Sequence, residues 1–405
     1  MSAHVLITNH VSSLNKGDES ILRVTIDIIK KSLGYKTVIY VLTESPPYNS
    51  DPSASVYFLK NPFIAKFSSL TDLNAHIKAS AAFLKADAVV VRGGDCLSDV
   101  YGQLSLLTHS LSIWPAVLLN NPLSFMGHTI GPFTSSDVLS SIAINLLKKE
   151  LLKSDLIVVR ENKSAHVLKQ MGINQSNVTI APDLAFLLKP APQRQVNEYL
   201  SNLMEGHISN MLLGVNTSAI IHRYGFTNVH SEYKKLLSYV NLLAKFLDHI
   251  IKKYEISVLF IPHVIMPSND DRNIANLVRR KMRYRNHTYL IRDNLPPETL
   301  KGIIGRVDML ITTRMHPLIH ALSMGTPALG IEYSYKTKGL MSPLGLNDYV
   351  LNIKTLTLRE LIRKFDFMLL KLNDIRKDFR EASEKIMPEA TEAARLLHNW
   401  LRSQT

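Results

Sequence analysis

The residues best equipped for chemistry lie at positions 312–341, in the stretch TTRMHPLIHALSMGTPALGIEYSYKTKGLM. Arg314 and His316 form an Arg-x-His pair just after the apolar run VDMLIT at 307–312. Arg314 offers a planar fork that fits a carboxylate or phosphate through two N–H groups, and Lys336 brings a second cation as a point charge. His316 adds a proton donor, because an ordinary imidazole titrates close to neutrality. An apolar run, a polar residue and then a helix start make the junction at which open α/β sheets receive ligands, and backbone N–H groups at that helix start favour an anion. Together these residues read as a site for a small, multiply charged anion, against the plainer reading of an Arg-x-His as surface filler.

Four other loops carry candidate groups, all at expected C-terminal ends of strands. In Asn15-Lys16-Gly17-Asp18-Glu19, Gly17 allows a tight turn, and the two carboxylates suit a helix start. There is no G-x-G-x-x-G, so this is not a dinucleotide fingerprint, and a simple helix cap explains it equally well. Gly93 and Gly94 would let the backbone approach a ligand, with Asp95 at hand as a base; an ordinary turn is the competing explanation. His128 and Thr129 stand in GHTIGP (127–132), where a lone histidine is as often structural as functional. Arg160, next to Glu161, could pair with Glu161 or Asp183, or reach an anion instead.

The elements that must position these loops follow from the rest of the chain. At 405 residues it is too long for one ordinary core, so two domains are expected. Apolar residues make up 46% and charged residues 20%, the balance of a globular protein. A single cysteine, Cys96, excludes a disulfide framework and any multi-cysteine metal site. The first residues show no leader-like pattern and no apolar run reaches spanning length, so a cytoplasmic protein is expected. A net charge of +13 asks for an anionic substrate, a membrane surface or nucleic acid. The densest basic run, 279–285 (RRKMRYR), reads as a solvated helix face. Only Tyr284 interrupts it, which is too little stacking for a nucleic-acid module, and no nucleic-acid partner is expected.

Short apolar runs at 4–9, 37–42, 87–91, 123–129 and 156–160 alternate with helical periodicity and imply a parallel sheet. The pattern weakens over 189–210, read as a linker. It restarts at 212–216, 257–262, 309–313 and 328–332, and from 356 onward the chain is long, charged and helical. Asp270-Asp271 reads as a helix start after Pro267-Ser268-Asn269.

Six segments taken in order resemble the polysaccharide pyruvyl transferase family: NKGDESIL (15–22), VVRGGDCLSD (90–99), GHTIGPF (127–133), VVRENKSAHVLKQMGI (158–173), APDLAF (181–186) and RMHPLIHALSMGTPALGIEYSYKTKGLM (314–341). The resemblance implies an α/β fold of two Rossmann-like domains facing across a cleft, as in the GT-B glycosyltransferases, with C-terminal helices. Residues 1–188 would be the acceptor-side domain, 189–210 the linker and 211–405 the phosphoenolpyruvate-side domain. It also implies phosphoenolpyruvate as donor substrate, with no separate cofactor, and a sugar of a cell-surface polysaccharide or its lipid-linked precursor as acceptor. Arg314, His316 and Lys336 would lie in the donor site, with Arg160 contributing from the other domain, and Tyr333 fits the family pattern. The chain departs from that pattern at His128-Thr129, where Gln-Ser is usual, at Asp95, where a third glycine is common, and at Pro317.

Ketal formation from phosphoenolpyruvate needs a proton on the methylene carbon, attack by a sugar hydroxyl, loss of phosphate and closure by a second hydroxyl. His316 is expected as general acid and Asp95 or His128 as the base on the acceptor side. No metal is required, because Arg and Lys can meet the leaving phosphate. A lipid-linked acceptor would bring the protein to the inner membrane face and give the basic run a role there. The alternative is a GT-B glycosyltransferase or sugar-nucleotide epimerase, for which Glu332 after Gly330 could pass as a ribose-binding residue.

Overall fold

The structure, a computed structural model, describes residues 2–45, 55–63, 73–173, 177–205, 211–227 and 229–404, without the side chain of Tyr335. The chain divides into two compact units. The first comprises residues 1–13, 18–188 and 388–405; the second comprises 14–17 and 189–387.

The first unit is built on a seven-stranded parallel sheet of β1 (His4–Thr8), β2 (Val38–Thr43), β3 (Val56–Lys60), β4 (Ala88–Leu97), β5 (Leu123–Ile130), β6 (Leu156–Val159) and β7 (Val178–Ile180), in the order 3-2-1-4-5-6-7. Its central strands are apolar on both faces because helices cover both, and every residue of β5 is buried. One face is packed by α2 (Leu73–Lys85), α3 (Gln103–Leu111), α4 (Trp114–Leu118), α5 (Val138–Lys153) and α6 (Asn162–Gln170), whose inward residues join one core with the strands. α1 (Lys16–Leu33) follows β1, with Asp18 and Glu19 in its first turn and Lys30 and Lys31 in its last, as the helix dipole favours.

The second unit opens with α7 (Gln193–Leu203) and carries a six-stranded parallel sheet of β8 (Leu212–Asn216), β9 (Ser257–Phe260), β12 (Thr288–Leu290), β13 (Met309–Thr312), β14 (Ala328–Glu332) and β15 (Val350–Asn352). The strand order is 12-9-8-13-14-15, so connections reverse direction between β8 and β13. A small hairpin, β10 (Ile265–Met266) with β11 (Asn269–Asp270), follows β9. The helices are α8 (Ile221–Tyr224), α9 (Glu232–Tyr254), α10 (Asp271–Lys281), α11 (Pro297–Ile304), α12 (Met315–Met324), α13 (Tyr335–Met341), α14 (Leu358–Leu370) and the part of α15 (Leu372–Gln404) before Pro388. Two parallel sheets with doubly wound helices and a helical C-terminus are the architecture expected from the sequence.

Three local expectations change. The stretch read as a linker, 189–210, contains α7, whose Val196 and Leu200 are buried; residues 206–210 lie outside the described residues. The stretch 93–95, expected to leave the sheet, continues inside β4. A Cβ on Gly93 would lie 2.3 Å from the carbonyl oxygen of Met126, so this glycine admits the neighbouring strand rather than a ligand. The basic run 279–285 leaves α10 after Lys281, where Asp248 accepts from the backbone N–H of Arg283 and Tyr284.

Candidate active site

The topological switch of the second sheet lies between β8 and β13, the place where doubly wound sheets open a crevice for ligands. β13 ends at Thr312, and its hydroxyl ties the turn down: Thr312 Oγ1 donates to Asn216 Oδ1 at 3.1 Å and accepts from the Arg314 N–H at 3.1 Å. Thr313 Oγ1 donates to the Asn216 carbonyl at 3.2 Å. Arg314 is then the N-cap of α12, in extended backbone, and His316 sits in the first helical turn. α12 holds this position because Leu318, Ile319, Ala321 and Leu322 are buried beneath it and Gly325, with φ of 66°, closes its C-terminus. Pro317 falls in that same first turn, where a missing N–H costs no helix bond.

The Arg314 guanidinium is fixed before any ligand arrives. Its Nε lies 3.0 and 2.9 Å from the two carboxylate oxygens of Asp271, its Nη2 donates to Asp271 Oδ1 at 2.6 Å, and Nη2 also donates to Asn269 Oδ1 at 2.9 Å. Asp271 is fully buried at the start of α10. It further accepts from the backbone N–H of His263 and of Val264, both at 2.9 Å, and from Asn216 Nδ2 at 3.3 Å. A buried carboxylate with this many donors holds the arginine in one orientation. The sequence shows Asp270-Asp271 only as a helix start. Asp270 does cap α10, accepting from the Arg272 N–H at 2.9 Å, but the role of Asp271 rests on a partner more than forty residues away and has no local signature.

His316 is placed by the segment 14–17, which belongs to the second unit although both its sequence neighbours belong to the first. The Lys16 N–H donates to the His263 carbonyl at 2.8 Å and the Ile265 N–H to the Leu14 carbonyl at 2.9 Å. Gly17 then meets the imidazole: a Cβ built there would lie 2.0 Å from His316 Nδ1. Gly17, expected to form a tight turn, instead lies in the first turn of α1 and is there because no side chain would fit. Lys16, 2% exposed, comes with it as a buried cation that sequence reasoning did not single out.

Beneath His316, the rings of His263 and His320 meet edge to face at 5.1 Å between centroids. Burial drives both imidazoles well below the usual histidine range, and the neighbouring charges of His316, Arg314 and Lys16 add to the effect on His263. Among the described residues, neither ring nitrogen of His263 has a hydrogen-bond partner. Lys336 lies in the first turn of α13, after β14; since β13 and β14 are neighbours, Arg314 and Lys336 follow adjacent strands at the same end of the sheet. Tyr333 stacks on Tyr224 of α8, with centroids 5.7 Å apart. At the end of β14, Glu332 Oε2 is buried with no hydrogen-bond partner among the described residues.

In the first unit, Asp95 accepts from the Tyr101 hydroxyl at 2.6 Å and stays partly exposed. His128 is corrected from base to packing residue. It is fully buried in β5, its ring lies against Phe125, and its Nε2 donates to the Val91 carbonyl at 3.2 Å. Burial drives its imidazole down to about 3. Of the roles left open for Arg160, the ion pair is the one formed: Nη1 donates to Asp183 at 2.5 Å and Nη2 to Thr129 Oγ1 at 3.0 Å. Arg160 Nε has no hydrogen-bond partner among the described residues. Arg92, fully buried one residue before the glycine pair, was not singled out; its guanidinium donates to the Asn9 carbonyl at 2.9 Å and to Asp18 at 3.3 Å.

Comparison with known proteins adds three findings. A sequence model described as polysaccharide pyruvyl transferase matches residues 15–335. The amylovoran biosynthesis protein AmsJ of Erwinia amylovora is 27% identical over 313 residues, covering 74% of this chain and 69% of that protein. Among solved structures, HepE of Anabaena in complex with UDP and glucose aligns with a TM-score of 0.61 at 14% identity, over 99% of this chain and 100% of that one. The UDP-GlcNAc 2-epimerase of Neisseria meningitidis bound to UDP-GlcNAc gives 0.58 at 12% identity, over 98% and 99%. At such identities the structural likeness speaks for the fold alone.

Proposed function

Because the chain belongs to the polysaccharide pyruvyl transferase family, we propose that it transfers the pyruvyl group of phosphoenolpyruvate to a sugar of a cell-surface polysaccharide or its lipid-linked precursor, as a ketal. One observation carries this reading: Arg314, preset by buried Asp271, stands two residues before His316 at the start of a helix that follows the switch point. Arg314 and the backbone N–H groups of that helix start hold the carboxylate or phosphate, and Lys336 neutralises the other group. His316 donates a proton to the methylene carbon, making it a methyl group and leaving the adjacent carbon cationic. A sugar hydroxyl attacks that carbon, phosphate leaves with the C–O bond electrons, and a second hydroxyl closes the ketal. Of the two hydroxyl protons released, one replaces the proton given by His316 and the other leaves with phosphate. Asp95 is the base on the acceptor side. Arg160 is the first unit's anion contact, held by Asp183 as Arg314 is held by Asp271. The reaction takes place in the cytoplasm, at the inner membrane face when the acceptor is lipid-linked.

A second reading, a nucleotide-sugar enzyme, is favoured by Glu332, whose buried, unpartnered Oε2 could accept from a ribose hydroxyl. Titration calorimetry with phosphoenolpyruvate and with UDP- and GDP-sugars separates the two. Binding of phosphoenolpyruvate, lost in Arg314→Lys, is expected; tighter binding of a nucleotide sugar with none of phosphoenolpyruvate would overturn the proposal.

A further inference from the structure

Eighteen large apolar side chains are exposed among the described residues, and eleven of them fall between positions 73 and 152, about a fifth of the chain. Apolar residues scattered singly over a surface need no explanation, but a cluster does. These residues lie mostly on α2 to α5. α3 packs along α5, and α4 lies against α2, α3 and α5, so the four helices form one continuous layer on one face of the first sheet. Their inward residues fill the core, while Leu84, Leu104, Leu118 and Val138 are each more than 60% exposed. On α5 the outward residues Val138, Ile142, Lys149 and Leu152 recur at helical spacing, as one stripe.

The charges on this layer are of one sign. α2 to α5 carry exposed Lys78, Lys85, Lys149 and Lys153 and a single carboxylate, Glu150, which is buried. Asp137, which caps α5, lies at its edge. Trp114 opens α4, partly exposed, with Lys149 Nζ 6.0 Å from its ring centroid. Apolar side chains interleaved with lysines, with an amphipathic aromatic among them, are the composition of an element lying in a lipid headgroup region. A second copy of the chain is a poorer occupant, because a two-fold contact would set the lysines against one another.

We propose that the outer surface of α2 to α5 docks on an anionic lipid bilayer. This refines the membrane association suggested above, assigning it to a surface of the first unit rather than to the run 279–285, and is independent of which sugar or donor the enzyme uses. No helix among the described residues is long and apolar enough to cross a membrane, so the contact is peripheral.

Co-sedimentation of the full chain with vesicles of phosphatidylcholine, with and without phosphatidylglycerol, tests it without substrate. Binding is expected only to the anionic vesicles. Brominated lipid should quench tryptophan fluorescence in the native chain and not in Trp114→Phe, which retains Trp400. The double variant Lys149→Glu, Lys153→Glu should weaken binding by at least about 25-fold, roughly fivefold for each lysine. The triple variant Leu118→Ser, Val138→Ser, Ile142→Ser should weaken it about tenfold or more, with the melting temperature unchanged because these side chains are already exposed. Binding that survives both variants but is lost in Arg283→Ser, Arg285→Ser would overturn the proposal. So would a dimer in light scattering that the triple variant dissociates while vesicles remain unbound.

Discussion

Replacing Arg314 with methionine should damage two properties that a second substitution can separate. From the sequence alone, losing Arg314 is expected to abolish donor binding and leave the fold intact; Asp271 changes that expectation. In Arg314→Met the Asp271 carboxylate keeps two backbone donors and Asn216 but loses the guanidinium, its charged hydrogen-bond partner. Breaking a buried pair from one side costs about 3–5 kcal/mol. For a unit of about two hundred residues that is a fall in melting temperature of roughly 6–20 °C. Adding Asp271→Asn removes the stranded charge while an amide oxygen still accepts from His263 and Val264, so the double variant should recover about 1–3 kcal/mol, the usual size of coupling between contacting residues. Phosphoenolpyruvate binding should remain lost in both. Thermal unfolding and calorimetric titration of the two single variants and the double give the answer. Equal stability of Arg314→Met and the native chain would refute the anchoring argument, and restored phosphoenolpyruvate affinity in the double would refute the ligand role of Arg314.

If His316 is the acid, His316→Gln should lower kcat by about 10²–10⁴-fold with phosphoenolpyruvate affinity little changed, measured by phosphate release and titration; equal losses in both would make it a phosphate ligand instead. Gly17→Ala should push the imidazole aside and reduce kcat by about 100-fold, the cost of misplacing a reacting group by about 1 Å, while the melting temperature moves little. His128→Gln should lower the melting temperature and leave acceptor KM unchanged, and a selective KM change would return His128 to the acceptor site. The second unit should lose stability as pH falls. His263 and His320 are held neutral by burial in the folded unit, whereas the unfolded chain protonates them below about 6.5, so the loss begins there. It should reach roughly 1 kcal/mol for each histidine at pH 5.5, read by denaturant titration, and is removed by replacing both with Phe.

The strands legible in the sequence are those buried on both faces. The runs at 4–9, 87–91, 212–216 and 309–313 correspond to β1, β4, β8 and β13, at the centres of the two sheets. β3, β7, β12 and β15 escaped because each lies at an edge and is only three to five residues long; β3 and β7 are incompletely buried throughout, so neither forms an apolar run. The site divides in the same way. Arg314 and His316 announce themselves because they are local, two residues apart after a buried strand. Asp271, Lys16 and His263 do not, because each acts through a contact made by folding: a carboxylate across the switch point, a cation carried in by residues 14–17, an imidazole beneath another. The glycines mislead for a related reason. Both Gly17 and Gly93 are needed for close approach, but what approaches is a histidine ring in one case and a strand in the other.

The division of the chain has a consequence for biosynthesis. The first unit includes residues 388–405, and in α15 the change of unit falls at Pro388, inside the helix. There the Ser32 hydroxyl meets His398 Nδ1 at 2.9 Å, joining residues 366 positions apart. The second unit likewise waits on nothing upstream, since residues 14–17, which seat His316, leave the ribosome long before the strands they pair with. During synthesis, therefore, the half that begins first is finished last. Expression of residues 1–188 alone would leave its α1 side without the closing turns of α15, and expression of 189–387 alone would yield a unit lacking residues 14–17, which seat His316.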